Sequence, residues 1–338
     1  MHPILFEIFG YEIRTYSVAM ALGFVVGMIL LRRRSPIERI DVDLTLNSTI
    51  CTVFGTILGG RALFVITAYH DKFADKPWYE IFKLWQGGLV FYGGFFGSII
   101  AVVAYLRLKR QPLLPILDLF SPYVGLGLAI HRPFGCFMNG CCFGCPTDLP
   151  WGAHFPPEAA ATKVYGVAQA VHPTQIYMGL NGLIIFLVLR WYRNHKLKQG
   201  EVFALLLSIY AVNRFFIEFF RGDLIRGFVP QKEILGLGVF IVGLAAYLFF
   251  RWKKIKVGVI IALLAVAAAT VKAFMGMTSD AAEAGVQITP FSTSQFIGFY
   301  VFATGAALFI HARLFGDALP PGYGRPLSEA GGEPRPVS

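Results

Sequence analysis

Three arginines, Arg132, Arg214 and Arg221, stand inside or at the margins of strongly apolar stretches of this 338-residue chain. A guanidinium in such surroundings is costly unless it pairs or binds an anion. Its planar fork donates two hydrogen bonds at once, which suits a phosphate. In the run Tyr210-Ala-Val-Asn213-Arg214-Phe-Phe-Ile-Glu218-Phe-Phe-Arg221-Gly-Asp223, helical spacing puts Tyr210, Arg214 and Glu218 on one face, with Arg221 and Asp223 at its outer end. Two readings follow: a self-satisfied Arg214–Glu218 pair that holds helices together, or an anion site where Arg132, Arg214 and Arg221 converge near the outer leaflet. A fourth arginine, Arg61, follows Gly59-Gly60 inside another apolar stretch.

Arg132 belongs to the most unusual segment, His131-Arg132-Pro133-Phe134-Gly135-Cys136-Phe137-Met138-Asn139-Gly140-Cys141-Cys142-Phe143-Gly144. With Cys145 its thiols follow the pattern C-x4-C-C-x2-C, which lacks the clean C-x2-4-C pairs of zinc sites. A disulfide ranks above a metal here, and small packing residues beside glycines rank above both. No metal and no cofactor is expected. Two further segments carry polar or glycine-rich chemistry. Gly87-Gly88-Leu-Val-Phe91-Tyr92-Gly93-Gly94-Phe-Phe-Gly97 flanks a tyrosine with two glycine pairs, more than helix packing needs. His172-Pro173-Thr174-Gln175-Ile-Tyr177 opens an apolar helix: Pro173 suits its first turn and Thr174 or His172 its cap, whereas a structural start does not require His172, Gln175 and Tyr177.

These residues need membrane helices to position them. The chain is 56% hydrophobic and 15% charged, with mean hydropathy +0.60, where a soluble domain carries about 25% charged residues. About nine spans are expected, near 16–31, 45–67, 88–106, 113–130, 174–190, 201–220, 234–250, 257–276 and 295–312. The opening residues lack the basic n-region of a cleavable signal peptide, so the first span is expected to insert uncleaved. The net charge of +10 does not point to nucleic acid, because the basic residues gather in short alternate loops, such as Arg32-Arg33-Arg34 and Arg251 to Lys256. The positive-inside rule then puts the N-terminus outside and the C-terminus inside. Residues 68–87, with Trp78, Tyr79 and Trp85, suit an interfacial arm. Residues 131–173 form an outside head, and the Pro/Gly-rich tail 316–338 is expected to be a disordered cytoplasmic segment.

Taken in order, the motifs resemble those of the prolipoprotein diacylglyceryl transferase family. The resemblance covers roughly residues 10–228 and resumes at Phe291-Ser-Thr-Ser-Gln295-Phe-Ile-Gly298. It implies an all-α polytopic protein of the bacterial cytoplasmic (inner) membrane: a transmembrane core over 1–228, a last core span over 291–315, and an apparent two-span insertion over 229–290. The implied reaction moves the diacylglyceryl group of phosphatidylglycerol onto the lipobox cysteine of a preprolipoprotein and releases glycerol 1-phosphate. The implied partners are therefore phosphatidylglycerol, the preprolipoprotein signal peptide and membrane lipids.

Carried over position by position, the resemblance implies Tyr16, Arg132, Asn139, Gly144, Tyr210, Arg214 and Glu218 as site residues. Arg61, Gly93, Gly94, His172 and Arg221 join them as substrate-binding candidates from their own chemistry. Tyr92 stands where members often carry a histidine regarded as the catalytic base; either Tyr92 acts with nearby arginines lowering its pKa, or His131 or His172 substitutes, or thiol activation is mainly electrostatic. Arg132 stands three residues before Gly135, where the family pattern has its arginine two before. An anionic-lipid or small-anion transporter, or an inactive family member, are the alternatives; the pseudo-symmetric halves a transporter would favour are not found in the sequence.

Overall fold

The computed structural model describes residues 3–8, 11–74, 77–83, 88–166, 169–222, 293–319 and Tyr323. The expected seventh and eighth spans, Asp223 and nearly all of the tail lie outside them, as does the side chain of Tyr92. The protein is mostly helical. A hairpin of β1 (Ile4–Ile8) and β2 (Tyr11–Arg14) leads into α1 (Thr15–Arg34). There follow α2 (Val42–Thr67), the single turn α3 (Tyr69–Lys72), α4 (Phe91–Leu108), α5 (Leu113–His131), the short α6 (Ala160–Tyr165), α7 (Thr174–Arg193), α8 (Glu201–Glu218) and α9 (Thr293–Phe315).

Among the described residues, four helical segments are long and apolar enough to cross a membrane: Thr15–Glu38, Val42–Thr67, Leu113–Phe137 and Thr174–Arg193. Gly93–Leu108 and Val301–Phe315 are shorter apolar helices. Helix α8 is less purely apolar because Glu201, Arg214 and Glu218 are built into it. The protein is therefore a polytopic membrane protein. The hairpin is an element the sequence reading did not expect.

The described residues fall into two compact units, one within Met1–Gly27 and Phe120–Leu319, the other within Met28–Leu119. In the second unit, α2 and α4 pack backbone to backbone. A Cβ at Gly55 would lie 2.5 Å from the carbonyl oxygen of Gly97, one at Gly59 2.8 Å from Gly97 Cα, and one at Gly93 2.6 Å from Leu63 Cβ. A Cβ at Gly94 would come within 3.0 Å of the Thr56 oxygen. Helix approach therefore accounts for the glycines that looked excessive in sequence, Gly93 and Gly94 included.

Arg61 is also spent within this unit. It is buried, and its guanidinium donates to the carbonyls of Ile81 at 2.7 Å, Glu80 at 3.1 Å and Gly88 at 3.5 Å. Its charge lies 5.5 Å from the ring centres of Phe64 and Phe73. This intramembrane arginine holds the arm that contains the 3-10 turn Trp78–Phe82. Trp78 and Tyr79 of that turn are exposed, as an interfacial segment requires.

In the first unit, α7, α8 and α9 meet at a buried carboxylate. Glu201 accepts from the Tyr192 hydroxyl at 2.7 Å, from the amides of Leu197 at 3.2 Å and Lys198 at 3.1 Å, and pairs with Arg313 at 3.4 Å. With donors around both oxygens, the burial cost is offset and the α7–α8 turn is fixed to α9. Ahead of the first turn of α7, the 131–173 segment packs a small apolar cluster of Phe143, Phe155, Ala159, Ala161 and Val171.

The glycine contacts set a stability order. Replacing Gly59 by Val drives a side chain into backbone that cannot rotate away, and should cost about 3 kcal/mol or more. Gly27→Ala, whose added methyl meets nothing within 4 Å, should be neutral or slightly stabilising. Thermal unfolding of the two variants in detergent measures the difference; equal midpoints would remove the packing argument.

Candidate active site

The site is assembled where α5 ends. Pro133 has no amide hydrogen to continue the α-helical ladder. The chain instead winds through a π-helical turn, Arg132–Phe137. Such a turn takes up an additional residue without ending the helix. The wider spacing between Arg132 and Gly135 is accommodated here. At Gly135 the backbone passes under the His131 ring, with room for a Cβ no further than 3.0 Å from His131 Cδ2. The His131 ring in turn packs edge-on against Tyr16, their centres 4.6 Å apart.

Beyond the π-turn the chain folds back sharply. Gly140 and Cys142 both adopt positive φ, +66° and +62°. Gln175 Nε2 donates to the Cys141 carbonyl at 2.7 Å and Thr174 Oγ1 to the Cys142 carbonyl at 2.6 Å. Thr174 and His172 do not cap α7, as the sequence suggested: the N-cap position is Pro173, without a side-chain cap. The polar residues of this motif hold the cysteine loop instead.

Gly144 is the crossing point of three backbones. Its amide donates to the His172 carbonyl at 2.9 Å, and the next amide, Cys145, donates to the Phe220 carbonyl at 2.9 Å. The Gly222 amide donates to the Phe143 carbonyl at 3.2 Å, and Gly144 forms an antiparallel bridge with Arg221. A Cβ on Gly144 would sit 2.5 Å from the His172 oxygen and 2.6 Å from the Phe220 oxygen. The head, the start of α7 and the end of α8 are thereby locked together. His172 accordingly faces Tyr177 and Phe220, with Nδ1 3.1 Å from the Tyr177 hydroxyl.

Arg132 occupies the middle of this arrangement. Its Nη1 lies 3.9 Å from Cys136 Sγ and 3.8 Å from Cys142 Sγ, and its buried Nε has no hydrogen-bond partner among the described residues. Tyr16, Tyr210 and Arg221 lie within its electrostatic reach. The Cys142 thiol is held well below the usual thiol range by hydrogen bonds from Cys136 and Cys141 and by the charges of Arg221 and Arg132, against the effect of burial. The Cys141 thiol donates to the Cys136 carbonyl at 3.7 Å, with Asn139 in its electrostatic surroundings.

The sequence-derived candidates Tyr16, Arg132, Asn139, Gly144, His172, Tyr210 and Arg221 thus come together in one unit. Arg214 and Glu218 form a buried ion pair one turn apart on α8, on the Tyr210 face. The pair anticipated from spacing is present. Arg61, Gly93 and Gly94 serve the other unit's packing. Trp151 was missed by sequence reasoning: its Nε1 donates to the Tyr177 hydroxyl at 2.8 Å, and it lines an open apolar groove of about 420 Å³ with Phe137, Pro173, Ile176 and Leu180. A lone aromatic in a loop gives no periodic signal that would mark it.

A profile of the family described as prolipoprotein diacylglyceryl transferase matches residues 3–271. The chain belongs to this family. A phosphatidylglycerol–prolipoprotein diacylglyceryl transferase of Clostridium tetani is 36% identical over 75% of this chain and 100% of its own length. Enzymes of the same name from Gloeobacter violaceus and Vibrio atlanticus are 30% and 32% identical, each over 71% of this chain and over 90% and 88% of their own lengths. The family match extends past residue 228, into the segment that the sequence reading treats as inserted.

The loop geometry yields a specific expectation. Thr174→Val keeps the shape of the side chain but leaves the Cys142 carbonyl without its donor. It should cost about 1–3 kcal/mol of stability, and Cys142 should become the fastest-alkylating thiol of the loop. Thermal unfolding and mass-spectrometric alkylation rates check both; an unchanged Cys142 rate would show that Thr174 does not hold the loop.

Proposed function

We propose that this chain transfers the diacylglyceryl group of phosphatidylglycerol to the lipobox cysteine thiol of a prolipoprotein. The thiolate sulfur attacks C3 of the glyceryl group, the C–O bond to phosphate breaks, and glycerol 1-phosphate leaves as a thioether forms. The observation that carries the reading is Arg132: a guanidinium at a span end, its Nε buried without a partner among the described residues, with Arg221 in the same field. Family membership supplies the reaction class. Negative charge grows on the departing phosphate, and preorganised guanidinium donors in a dry site stabilise it without reorganising. Arg214 adds a second positive group, oriented by its ion pair with Glu218. Tyr210, on the same helix face, lies within electrostatic reach of Arg132.

The thiol needs a proton acceptor, since its free pKa is about 8.5. Tyr92 is the candidate at the position where relatives often place a histidine. Nine spans, an outside head at 131–173, an outside N-terminus and a cytoplasmic C-terminus in the inner membrane complete the reading. In that topology the site opens toward the side where secreted prolipoproteins emerge. Residues 229–290 contribute two spans, an even number that leaves the side of α9's ends unchanged.

Purified protein supplied with phosphatidylglycerol and a lipobox peptide should yield thioether-modified peptide and glycerol phosphate in equal amounts. Arg132→Ala and Arg221→Ala should each lower kcat/KM by about 100-fold or more. If neither product forms with the unaltered protein, the enzyme reading fails. Tyr92→Phe should abolish thiol activation and leave phosphatidylglycerol binding intact; full turnover in that variant would exclude Tyr92 as the base.

A further inference from the structure

The sequence spacing of the cysteines argues against a metal centre, yet the fold brings three of them together. Cys136, Cys141 and Cys142 place their sulfurs within 4.8 Å of one another. All three are free thiols in the structure. We propose that they form a three-thiolate site for a soft, thiophilic metal ion of the zinc(II) or copper(I) class.

The geometry fits the chemistry. Metal–sulfur bonds of about 2.3 Å put ligand sulfurs a little under 4 Å apart, so the three need close by no more than about an ångström. Soft thiolates select these ions over magnesium or calcium. The backbone is shaped for the convergence. The π-turn Arg132–Phe137 positions Cys136, and the positive φ of Cys142 turns its side chain back toward it. A non-glycine residue enters that region only at a cost. The hydrogen bonds from Thr174 and Gln175 hold the loop in that conformation from α7.

Charge balance supports the same assignment. Each thiol loses its proton to solvent as its bond to the metal forms. Three thiolates with one divalent ion carry a single net negative charge, and Arg132 stands 3.8–3.9 Å from two of the sulfurs to offset it. Arg221 adds to the same field at Cys142. Cys51 lies in α2 of the other unit, and Cys145 is not part of the cluster. The inference shares Arg132 and Arg221 with the transferase reading, but its test reads metal binding and not transfer, so the failure of one is distinguishable from the failure of the other.

The test titrates reduced, full-length protein in detergent with cadmium(II), following the sulfur-to-cadmium charge-transfer absorbance. One cadmium per chain is expected, with Cys136, Cys141 and Cys142 protected from alkylation in the unaltered protein and Cys51 and Cys145 not protected. Cys136→Ser, Cys141→Ser and Cys142→Ser should each weaken binding by 100-fold or more, whereas Cys51→Ser and Cys145→Ser leave it unchanged. Cadmium should also raise the unfolding midpoint of the unaltered protein, a readout that needs no variant to fold. Absence of the absorbance, full binding by Cys142→Ser, or a disulfide joining two of these cysteines in protein isolated without reductant would each overturn the proposal.

Discussion

Three main chains meet at Gly144, and the arrangement holds only because no side chain stands there. The hydrogen bonds to His172, from Cys145 to Phe220 and from Gly222 to Phe143 are made between backbones at van der Waals limits. Through them the head, the first turn of α7 and the last turn of α8 become one body. Arg221 and His172 take their places from this crossing. Glycine at this position is a condition for that crossing.

The charged groups inside the membrane helices separate into two kinds, and the distinction is physical. Arg61 has its donors turned onto backbone carbonyls and its charge over two aromatic rings, so its burial is offset within the protein. Glu201 is surrounded by donors in the same way. Arg132 is different: its closest partners are sulfur atoms at nearly 4 Å, weak acceptors for so strong a donor. A buried guanidinium with weak acceptors keeps donor capacity that the described residues do not fill, whereas Arg61 and Glu201 are satisfied within the protein.

Local patterns were legible in the sequence, and convergence was not. Apolar runs gave the helices α1, α2, α4, α5, α7, α8 and α9 to within a few residues, because burial in lipid demands continuous apolar length. The Tyr210, Arg214, Glu218 face followed from the helical period, and the ion pair on it is present. The hairpin was missed because Ile4–Ile8 and Tyr11–Arg14 are too short to show a period. The packing roles of Gly93 and Arg61 were not legible for one reason: their partners, Gly59 and the arm around Ile81, are distant in sequence. The convergence of Cys136, Cys141 and Cys142 was not legible either, because spacing rules assume simple turns. Here a π-turn and two left-handed residues fold C-x4-C-C back on itself.

The π-turn also reconciles the position of Arg132 with the family pattern. An extra residue in a regular helix would rotate everything beyond it by about 100°, carrying Gly135 and the cysteines away from His131 and α7. A π-turn takes up that residue locally, and Pro133, already without an amide hydrogen, is where the ladder gives way at least cost. Pro133 then packs its ring on Gly179 of α7, with space for a Cβ there only 2.6 Å from Pro133 Cγ. Gly135 lies under His131 while Arg132 stands at the end of α5, within electrostatic reach of Tyr16, Tyr210 and Arg221. The altered spacing in sequence is thus taken up locally, within one turn.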